Sequence, residues 1–336
     1  MTAPGKLELV APAGTMAAFK AAVEAGADAV YVGFRDETNA RNFPGLNFDR
    51  AEMAEAARLA HRRGVKLFVA INTYPAAGRS EPWRRAIDAA AGLGADAVIL
   101  ADIGLLDYAA TRHPGLRRHL SVQASASTPE AIRFYAKTFG VRRVVLPRVL
   151  TLAEIAALVT EAPVETEVFA YGGLCVMAEG RCLLSSYATG QSPNLNGVCS
   201  PAEEVHYKSD GTRMISRLGR FAINAVPAGE PAGYPTLCKG RFSAGGAAPA
   251  YLFEEPTSLN VAMLLPELMA SGVRALKIEG RQRGRAYVAA VVAAFREAVD
   301  AAAAGRPLSA TDLARRLAAV SEGGRETAGA YRKDWR

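Results

Sequence analysis

Short apolar runs rich in β-branched residues recur along the chain. They occupy residues 7–12, 27–33, 65–71, 95–101, 120–125, 141–147, 164–170 and 273–280. After each of the first six, apolar residues recur every three or four positions, as in 15–27 and 48–64, which is typical of amphipathic helices. Strands that alternate with helices indicate a mostly parallel sheet. Eight of them predict an α/β protein with a closed (β/α)8 TIM-like barrel, and a doubly wound open sheet is the alternative fold.

The alternation is interrupted between the seventh strand and the helix that should follow it. Residues 171–257 are rich in Gly, Pro and Ser and contain only short β-like pieces. Plain connections of this length are rare in compact domains, so we expect a functional insertion. Helices are expected again at 258–272 and 285–305. The predicted organisation is therefore barrel strands 1–7 in residues 1–170, the insertion in 171–257, completion of the barrel in 258–305, and a C-terminal helix and tail in 306–336.

The composition is that of a folded globular protein, with 50% hydrophobic and 22% charged residues. Because the sequence shows no secretory signal and no apolar run long enough to cross a bilayer, we expect a cytoplasmic protein without a transmembrane segment. The formal net charge is +7, but the basic residues are scattered and form no dense block that would favour nucleic acid. A basic pocket for a small anion, or a basic face near anionic lipid, explains the charge as well.

All four cysteines, Cys175, Cys182, Cys199 and Cys238, lie in the predicted insertion. Four are too few for a disulfide scaffold, and reduced thiols gathered in one region suggest metal or redox chemistry. The alternative is four unrelated buried thiols, since free cysteine behaves as a small hydrophobe. Their confinement to residues 175–238 favours a metal centre. The spacing matches neither zinc-ribbon nor ferredoxin motifs, so it leaves zinc and an iron–sulfur cluster both open.

Polar residues also gather where the predicted strands end, which is where (β/α)8 barrels carry their chemistry. A single polar residue at a strand end needs no function, but the whole set is rich in Arg, Lys and amides, which suit a carboxylate-bearing ligand. Lys277 and Glu279 alternate with apolar residues, so they form either a structural pair or part of a binding site. No HExxH, GxSxG or GxxxxGK[ST] motif is present, and the catalytic residues stay unknown. The set includes Asn39, Arg41, Asn72, Gln123, Arg148, Lys277, Glu279 and Arg281.

Several segments are specific enough to indicate relatives. They are APAGTMAAFKAAVEAGADAVYVGF (11–34), TNARNFPGLNF (38–48), LSVQASAST (120–128), YGGLCVMAEGRCLLSSYATGQSPN (171–194), EEPTSLN (254–260) and LKIEGRQR (276–283). On these segments the chain resembles the collagenase-like peptidase superfamily, and within it the UbiU branch of oxygen-independent ubiquinone biosynthesis. The resemblance covers nearly the full length. The peptidase name is inherited, because no segment resembles a proteolytic site.

The resemblance implies a [4Fe-4S] cluster, because the four cysteines fall on the positions of the motif. It implies a heterodimer with the paralogue UbiV and a link to the lipid-carrier protein UbiT. Together these proteins hydroxylate the aromatic ring of a polyprenyl-phenol ubiquinone precursor without O2, and prephenate is the implied hydroxyl donor. One departure lies behind the third cysteine, where many relatives have Arg and this chain has Ala202, Glu203 and Glu204. An anion contact by that Arg therefore does not carry over.

Prephenate bears two carboxylates, so its site needs fixed cationic donors, with amides to orient a hydroxyl or the ring. Two alternatives stay open. One is a tRNA uridine hydroxylase that uses prephenate, as in a neighbouring branch of the superfamily, and the other is a zinc-stabilised partner protein without catalysis. The substrate-binding candidates are Arg148 and Arg281, then Arg41, Arg181 and Lys277, and then Asn39, Asn72 and Gln123, with Glu279 at the end of the eighth strand.

Overall fold

A computed structural model describes residues 7–177, 182–193, 198–230 and 233–333 of the chain. The first part alternates strands with helices, as the sequence predicts. The strands are β1 (Glu8–Pro12), β2 (Ala29–Gly33), β3 (Lys66–Ile71), β4 (Ala97–Leu100), β5 (Arg117–Leu120), β6 (Arg143–Val145) and β7 (Glu165–Gly173). The helices are α1 (Met16–Glu24), α2 (Arg50–Arg62), α3 (Glu81–Gly92), α4 (Ile103–Arg112), α5 (Pro129–Phe139) and α6 (Leu152–Glu161).

After β7 the chain enters the insertion and then returns to the barrel. The insertion contains α7 (Leu183–Thr189), an antiparallel sheet of β8 (Val205–Ser209), β9 (Arg213–Leu218) and β10 (Phe221–Pro227), and a hairpin of β11 (Arg241–Phe242) and β12 (Ala250–Tyr251). The elements that follow are β13 (Ser258–Asn260), α8 (Leu265–Ser271), β14 (Ala275–Ile278), α9 (Arg285–Ala303), α10 (Ala310–Leu317) and β15 (Glu326–Thr327). Within the described ranges, no helix has the length and apolar character needed to cross a membrane.

Eight strands close into the predicted barrel. β1 to β7 pair side by side in sequence order, each pair parallel, and β14 pairs in parallel with both β7 and β1. Because β14 is paired on both sides, the sheet formed by these strands closes on itself, which confirms the (β/α)8 TIM-like class. Outward side chains of the strands pack against the helices in one large apolar core. Several inward positions are small, among them Ala29, Ala70 and Ala97.

Two segments differ from the sequence prediction. The predicted strand 120–125 is wrong beyond Leu120, because Gln123 N donates to Ser121 Oγ at 3.3 Å and a single 3-10 turn follows. The predicted helix 258–272 is wrong at its start, since residues 258–260 form β13, antiparallel to the end of β7 with Ser258 opposite Gly173. The α-helix begins only at Leu265.

Buried charges occupy the barrel interior beside the small apolar residues. Lys277 Nζ lies 2.7 Å from Glu167 Oε1, and Arg143 Nη1 lies 3.1 Å from Glu167 Oε2. Arg143 also forms ion pairs of 2.7 Å with Glu8 and with Glu165. The ion pair of Lys277 is therefore with Glu167 rather than with its sequence neighbour Glu279. The pairs form a continuous line of alternating charge from Lys277 to the amino-terminal ends of the strands.

Replacing Glu167 with Gln is expected to lower the free energy of unfolding by about 3–5 kcal/mol, because two buried cations lose a shared partner. Burial opposes ionisation of Glu167, but Lys277 and Arg143 outweigh it and lower the pKa of this carboxyl. A lowered folded-state pKa gives stability that is present above the unfolded-state pKa and is lost as the pH falls through the folded-state pKa. Denaturant titrations from neutral to acidic pH should show this loss in the parent protein and not in the variant.

The matched control is Glu297→Gln, which removes a carboxylate paired with Arg316 at 2.7 Å on the surface. Exposed pairs contribute about 1 kcal/mol or less. Equal losses of stability in the two variants would contradict a structural role for the interior pairs.

Candidate active site

A cavity opens at the carboxyl ends of the barrel strands. Its volume is about 60 Å³, so the side chains that line it lie close together. Of the predicted substrate-binding residues, Arg41, Asn72, Gln123, Arg148, Lys277, Glu279 and Arg281 line it. The barrel topology thus brings together side chains from distant points of the sequence.

Arg281 and Lys277 lie beside the ring of Tyr31 on one side of the cavity. Lys277 Nζ is 3.8 Å from the ring centroid and Arg281 Cζ is 5.5 Å from it. Arg281 is only 4% exposed, and burial lowers its pKa to about 10, so it stays charged near neutral pH. Its Nη1 donates to Asn39 Oδ1 at 3.0 Å, and it has no ion pair among the described residues. A buried guanidinium of this kind suits an incoming carboxylate.

Two glycines allow Arg281 to lie close to the ends of β1 and β2. A Cβ on Gly33 would lie 2.6 Å from Asn39 Cγ and 2.7 Å from Arg281 Nη1. A Cβ on Gly14 would lie 1.9 Å from the carbonyl oxygen of Arg281. Neither position accepts a side chain without a shift of its neighbours, so glycine at both sites lets Arg281 pack against the ends of the first two strands.

Arg148 is fixed at the end of β7. Its Cζ lies 4.0 Å from the centroid of the Phe169 ring, and its Nη1 donates to the carbonyl oxygen of Gly173 at 2.8 Å. Stacking and a hydrogen bond together set the plane of the guanidinium. Arg148 is 8% exposed, so its charge is largely removed from water.

Glu279 contributes an ionised carboxylate to the cavity. Its Oε1 lies 3.5 Å from Arg41 Nε, and Gly173 N donates to its Oε2 at 3.3 Å. Burial alone would raise the pKa of Glu279, but Arg41 and Arg148 outweigh burial and lower it. Gly172, at φ +122°, permits this contact, since a Cβ there would lie 2.8 Å from the Glu279 Cβ. Four basic side chains against this carboxylate give the lining an excess of positive charge that favours an anion.

The predicted amides have different positions. Asn72 accepts from Ala40 N at 3.0 Å and donates to Ser121 Oγ at 3.2 Å, so it braces the wall. Gln123 Oε1 is buried without a hydrogen-bond partner among the described residues, which leaves an acceptor for a ligand. Asn39 is fully buried beneath Arg281 and holds it instead of lining the cavity.

Sequence reasoning missed eight residues of the lining, among them Tyr31, Ser121 and Phe169. Tyr31 and Phe169 lie within strands and not beyond them, so a search of strand ends passes over both. Strict alternation of inward and outward residues along β2 and β7 would have found them.

The four cysteines converge outside the barrel strands. Cys175 follows β7, Cys182 precedes α7, and Cys238 lies in the 3-10 turn Leu237–Lys239. The pKa of Cys238 is raised to about 12, mainly by burial and to a smaller extent by Cys199, Cys175 and Cys182. Because interactions between charges weaken with distance, these contributions indicate that the other three thiols lie in the same region as Cys238.

Four thiols are a donor set that suits either zinc or an iron–sulfur cluster. Among the described residues, no group of three or more His, Cys, Asp or Glu side chains is arranged to hold a metal ion. A zinc site brings its sulfurs to about 2.3 Å from one atom. A [4Fe-4S] cluster instead has a separate iron for each cysteine, so its sulfur ligands stand farther apart. Both groups are bound by thiolates, so the donor set fits either one.

Arg41 links the cavity to the thiols. Burial acts to lower the pKa of Arg41, but Glu279 and then Cys199 raise it by more. Cys199 is exposed as a whole residue, but loss of hydration around its thiol raises the pKa of that group, and Arg41 acts to lower it. Arg41 therefore interacts with both the carboxylate of the cavity and one thiol. Arg181, also predicted to bind substrate, lies outside the described residues.

Fold and site together define a class of protein: a (β/α)8 barrel with a cationic cavity at the strand ends and a cysteine-bearing insertion after its seventh strand. The family model described as Peptidase family U32 matches residues 14–333. The chain belongs to this family.

Its relatives include proteins named for hydroxylation. The chain is 33% identical over 334 residues to the tRNA hydroxylation protein P of Haemophilus influenzae, covering 91% of this chain and 70% of that protein. It is 31% identical over 301 residues to the 23S rRNA 5-hydroxycytidine C2501 synthase of Escherichia coli, covering 88% of this chain and 40% of that protein. The solved structure of the U32 peptidase Mk0906 matches with a TM-score of 0.42 and 18% identity, over 49% of this chain and 68% of that one. The fold assignment depends on the strand pairing and not on that likeness.

Proposed function

We propose that this protein is the iron–sulfur subunit of an O2-independent hydroxylase that acts on the aromatic ring of ubiquinone precursors, as in the UbiU branch. Relatives named for hydroxylation support the reaction class, and the resemblance of the cysteine-bearing segments supports the substrate. The observation that carries the proposal is the cationic cavity lined by Arg148 and Arg281, in which Arg41 lies 3.5 Å from Glu279. The influence of Cys199 on the pKa of Arg41 supports a thiol group close to this cavity.

The cavity supplies the site for the hydroxyl donor. Arg281 and Arg148 would each bind one carboxylate of a dicarboxylate such as prephenate, and Lys277 would add a third cation. The unpartnered Oε1 of Gln123 would accept a hydrogen bond from the donor hydroxyl. The overall reaction, Ar–H plus R–OH giving Ar–OH plus R–H, oxidises the ring by two electrons and reduces the donor by two, so it needs no O2.

Cys175, Cys182, Cys199 and Cys238 would hold the [4Fe-4S] cluster. A cluster with all four irons bound by cysteine supplies electron transfer when it is present, and one with a displaced cysteine would supply a Lewis acid. Around it, the charge of Arg41 would stabilise the thiolate of Cys199 and orient it toward the cavity side.

The proposed partners are UbiV, in a heterodimer, and UbiT, which would deliver the polyprenyl-phenol. Exposed apolar side chains in the insertion support a protein contact near the thiols. Leu183 and Tyr187 lie one turn apart on α7 and are 79% and 74% exposed. Leu183 follows directly after Cys182 and Tyr187 lies five residues after it, so a partner that covers them would also shield the cluster from water.

Two other functions compete with this proposal. A prephenate-dependent tRNA uridine hydroxylase is favoured by the names of the relatives. A zinc-stabilised partner protein is the second alternative, since four thiols also form a zinc donor set. The first shares the cavity chemistry with our proposal and differs in the ring that is hydroxylated.

Purification without O2, alone and together with UbiV, tests the proposal. We expect a brown protein with about four irons and matching sulfide per chain, which hydroxylates a ubiquinone precursor when prephenate is supplied. Colourless protein with one zinc would favour the partner protein. RNA that stays bound through a salt wash, with hydroxylated uridine and an unchanged quinone precursor, would favour the tRNA enzyme.

A further inference from the structure

The C-terminal segment, residues 321–331, is fixed against the carboxyl end of β7. The hydroxyls of Ser321 and Tyr171 are hydrogen-bonded at 2.7 Å, and the hydroxyl of Tyr331 donates to the carbonyl oxygen of Phe169 at 2.7 Å. Phe169 lines the cavity. The segment thus packs behind the cavity wall rather than leaving the barrel as a loose tail.

Glu322 is held in place within this segment. Its backbone N donates to Ser258 Oγ at 2.8 Å, and Ser258 N donates to the carbonyl oxygen of Arg325 at 3.0 Å. Ser258 begins β13, which pairs with β7 on one side and with β15 on the other. Backbone and side-chain contacts to two strands therefore fix Glu322 relative to the barrel.

From this position Glu322 reaches the insertion at the fourth cysteine. Its carboxylate forms an ion pair with Lys239 Nζ, and Lys239 is 7% exposed. Lys239 follows Cys238 directly and closes the 3-10 turn Leu237–Lys239. The carbonyl oxygen of Lys239 accepts from Asn224 Nδ2 of β10 at 3.2 Å, so the turn is held from the other side by the sheet of the insertion.

We infer that Glu322 is a positioning residue for Cys238: through Lys239 it fixes the fourth thiol relative to the barrel and to the other three. The side chain of Lys239 ends in a mostly buried ion pair, and its charge has no other ionic partner among the described residues. The ion pair therefore constrains the backbone of Lys239. Side chains that orient metal ligands without binding the metal affect affinity by about 10–100-fold. The identity of the group bound by Cys238 rests on the proposed function, whereas the position of the turn does not.

The test compares Glu322→Gln with Glu255→Gln. Glu255 forms an exposed ion pair of 2.9 Å with Arg325 of the same segment, so its variant loses the same charge without touching Lys239. In cluster-free protein, hydrogen exchange should become severalfold faster in the turn Leu237–Lys239 for Glu322→Gln only. In anaerobic holoprotein, the time for a chelator to remove the iron should shorten by about tenfold for Glu322→Gln only.

Further variants keep the test decisive. If Glu322→Gln fails to fold, the double variant Lys239→Met with Glu322→Gln removes the pair without leaving a buried charge, and the same two results are expected. Unchanged exchange and unchanged iron loss, or equal effects of Glu255→Gln, would overturn the inference. Wild-type protein that binds no iron would remove the proposed function and leave the exchange result to decide the role of Glu322.

Discussion

Replacing any one of Cys175, Cys182, Cys199 or Cys238 with Ala is expected to lower the iron content and abolish ring hydroxylation. Each thiolate would bind a separate iron, so loss of one removes a bond that no other described side chain nearby replaces. Iron and sulfide analysis after anaerobic purification measures the first effect, and conversion of the quinone precursor measures the second. Protein folding is checked by circular dichroism, because the barrel core does not include these residues.

The matched control is Ser271→Ala, a comparable change in the last turn of α8. A helix of the barrel runs opposite to the strands, so its end lies far from the cavity, and iron content and turnover should stay at the parental level. Full iron content in any single cysteine variant would exclude that cysteine as a ligand. Full content in all four would remove the cluster from the proposal.

Arg281→Ala and Arg148→Ala are each expected to weaken binding of a dicarboxylate by about 1.5–3 kcal/mol while leaving the iron content unchanged, the range for hydrogen bonds to charged groups. The larger loss of binding free energy is expected for Arg281→Ala, because Arg281 is buried and has no ion pair among the described residues. Titration calorimetry with prephenate measures the change. Arg281→Lys should recover only part of the loss, since a single ammonium cannot reproduce a forked contact.

Arg285→Ala provides the control for both variants. Arg285 is the first residue of α9, is exposed, and does not line the cavity. Its removal subtracts the same charge from the same face of the molecule, so it separates local contact from general attraction of anions. Unchanged affinity in both cavity variants, or an equal loss in Arg285→Ala, would remove the assignment of the donor site.

The barrel was predictable because its signal is periodic and local. Each strand is a short buried run, and each helix shows one apolar face, so the count of eight follows from the sequence alone. The pairing of β14 with both β1 and β7 is the step that the sequence does not contain, since it joins the two ends of the barrel. Closure of the barrel was inferred from the count of eight strands and is confirmed by the pairing of β14.

The errors occur where long-range contacts decide local structure. Residues 258–260 continue the apolar spacing of the following helix, yet the free edge at the end of β7 draws them into β13. The strand predicted at 120–125 ends early because Ser121 caps a turn. Neither competing contact is visible in a window of the sequence.

The candidate site, like the fold, was predictable only in part. The location of the charged residues was predictable, because strand ends in such barrels point to one face. Their partners were not. Lys277 pairs with Glu167, and Lys239 pairs with Glu322, across separations of 110 and 83 residues. The positions of the four thiols likewise depend on the path of the whole insertion. The spacing of the cysteines along the sequence does not encode that path.

The insertion begins and ends at adjacent points of the sheet, because Gly173 at the end of β7 lies opposite Ser258 at the start of β13. The entropic cost of closing such a loop grows only slowly with its length, by about 0.6 kcal/mol for each doubling. Such a module can be lengthened, shortened or exchanged while the surrounding architecture persists. Relatives that remodel this excursion alone would keep the eight barrel strands and the cavity at their carboxyl ends.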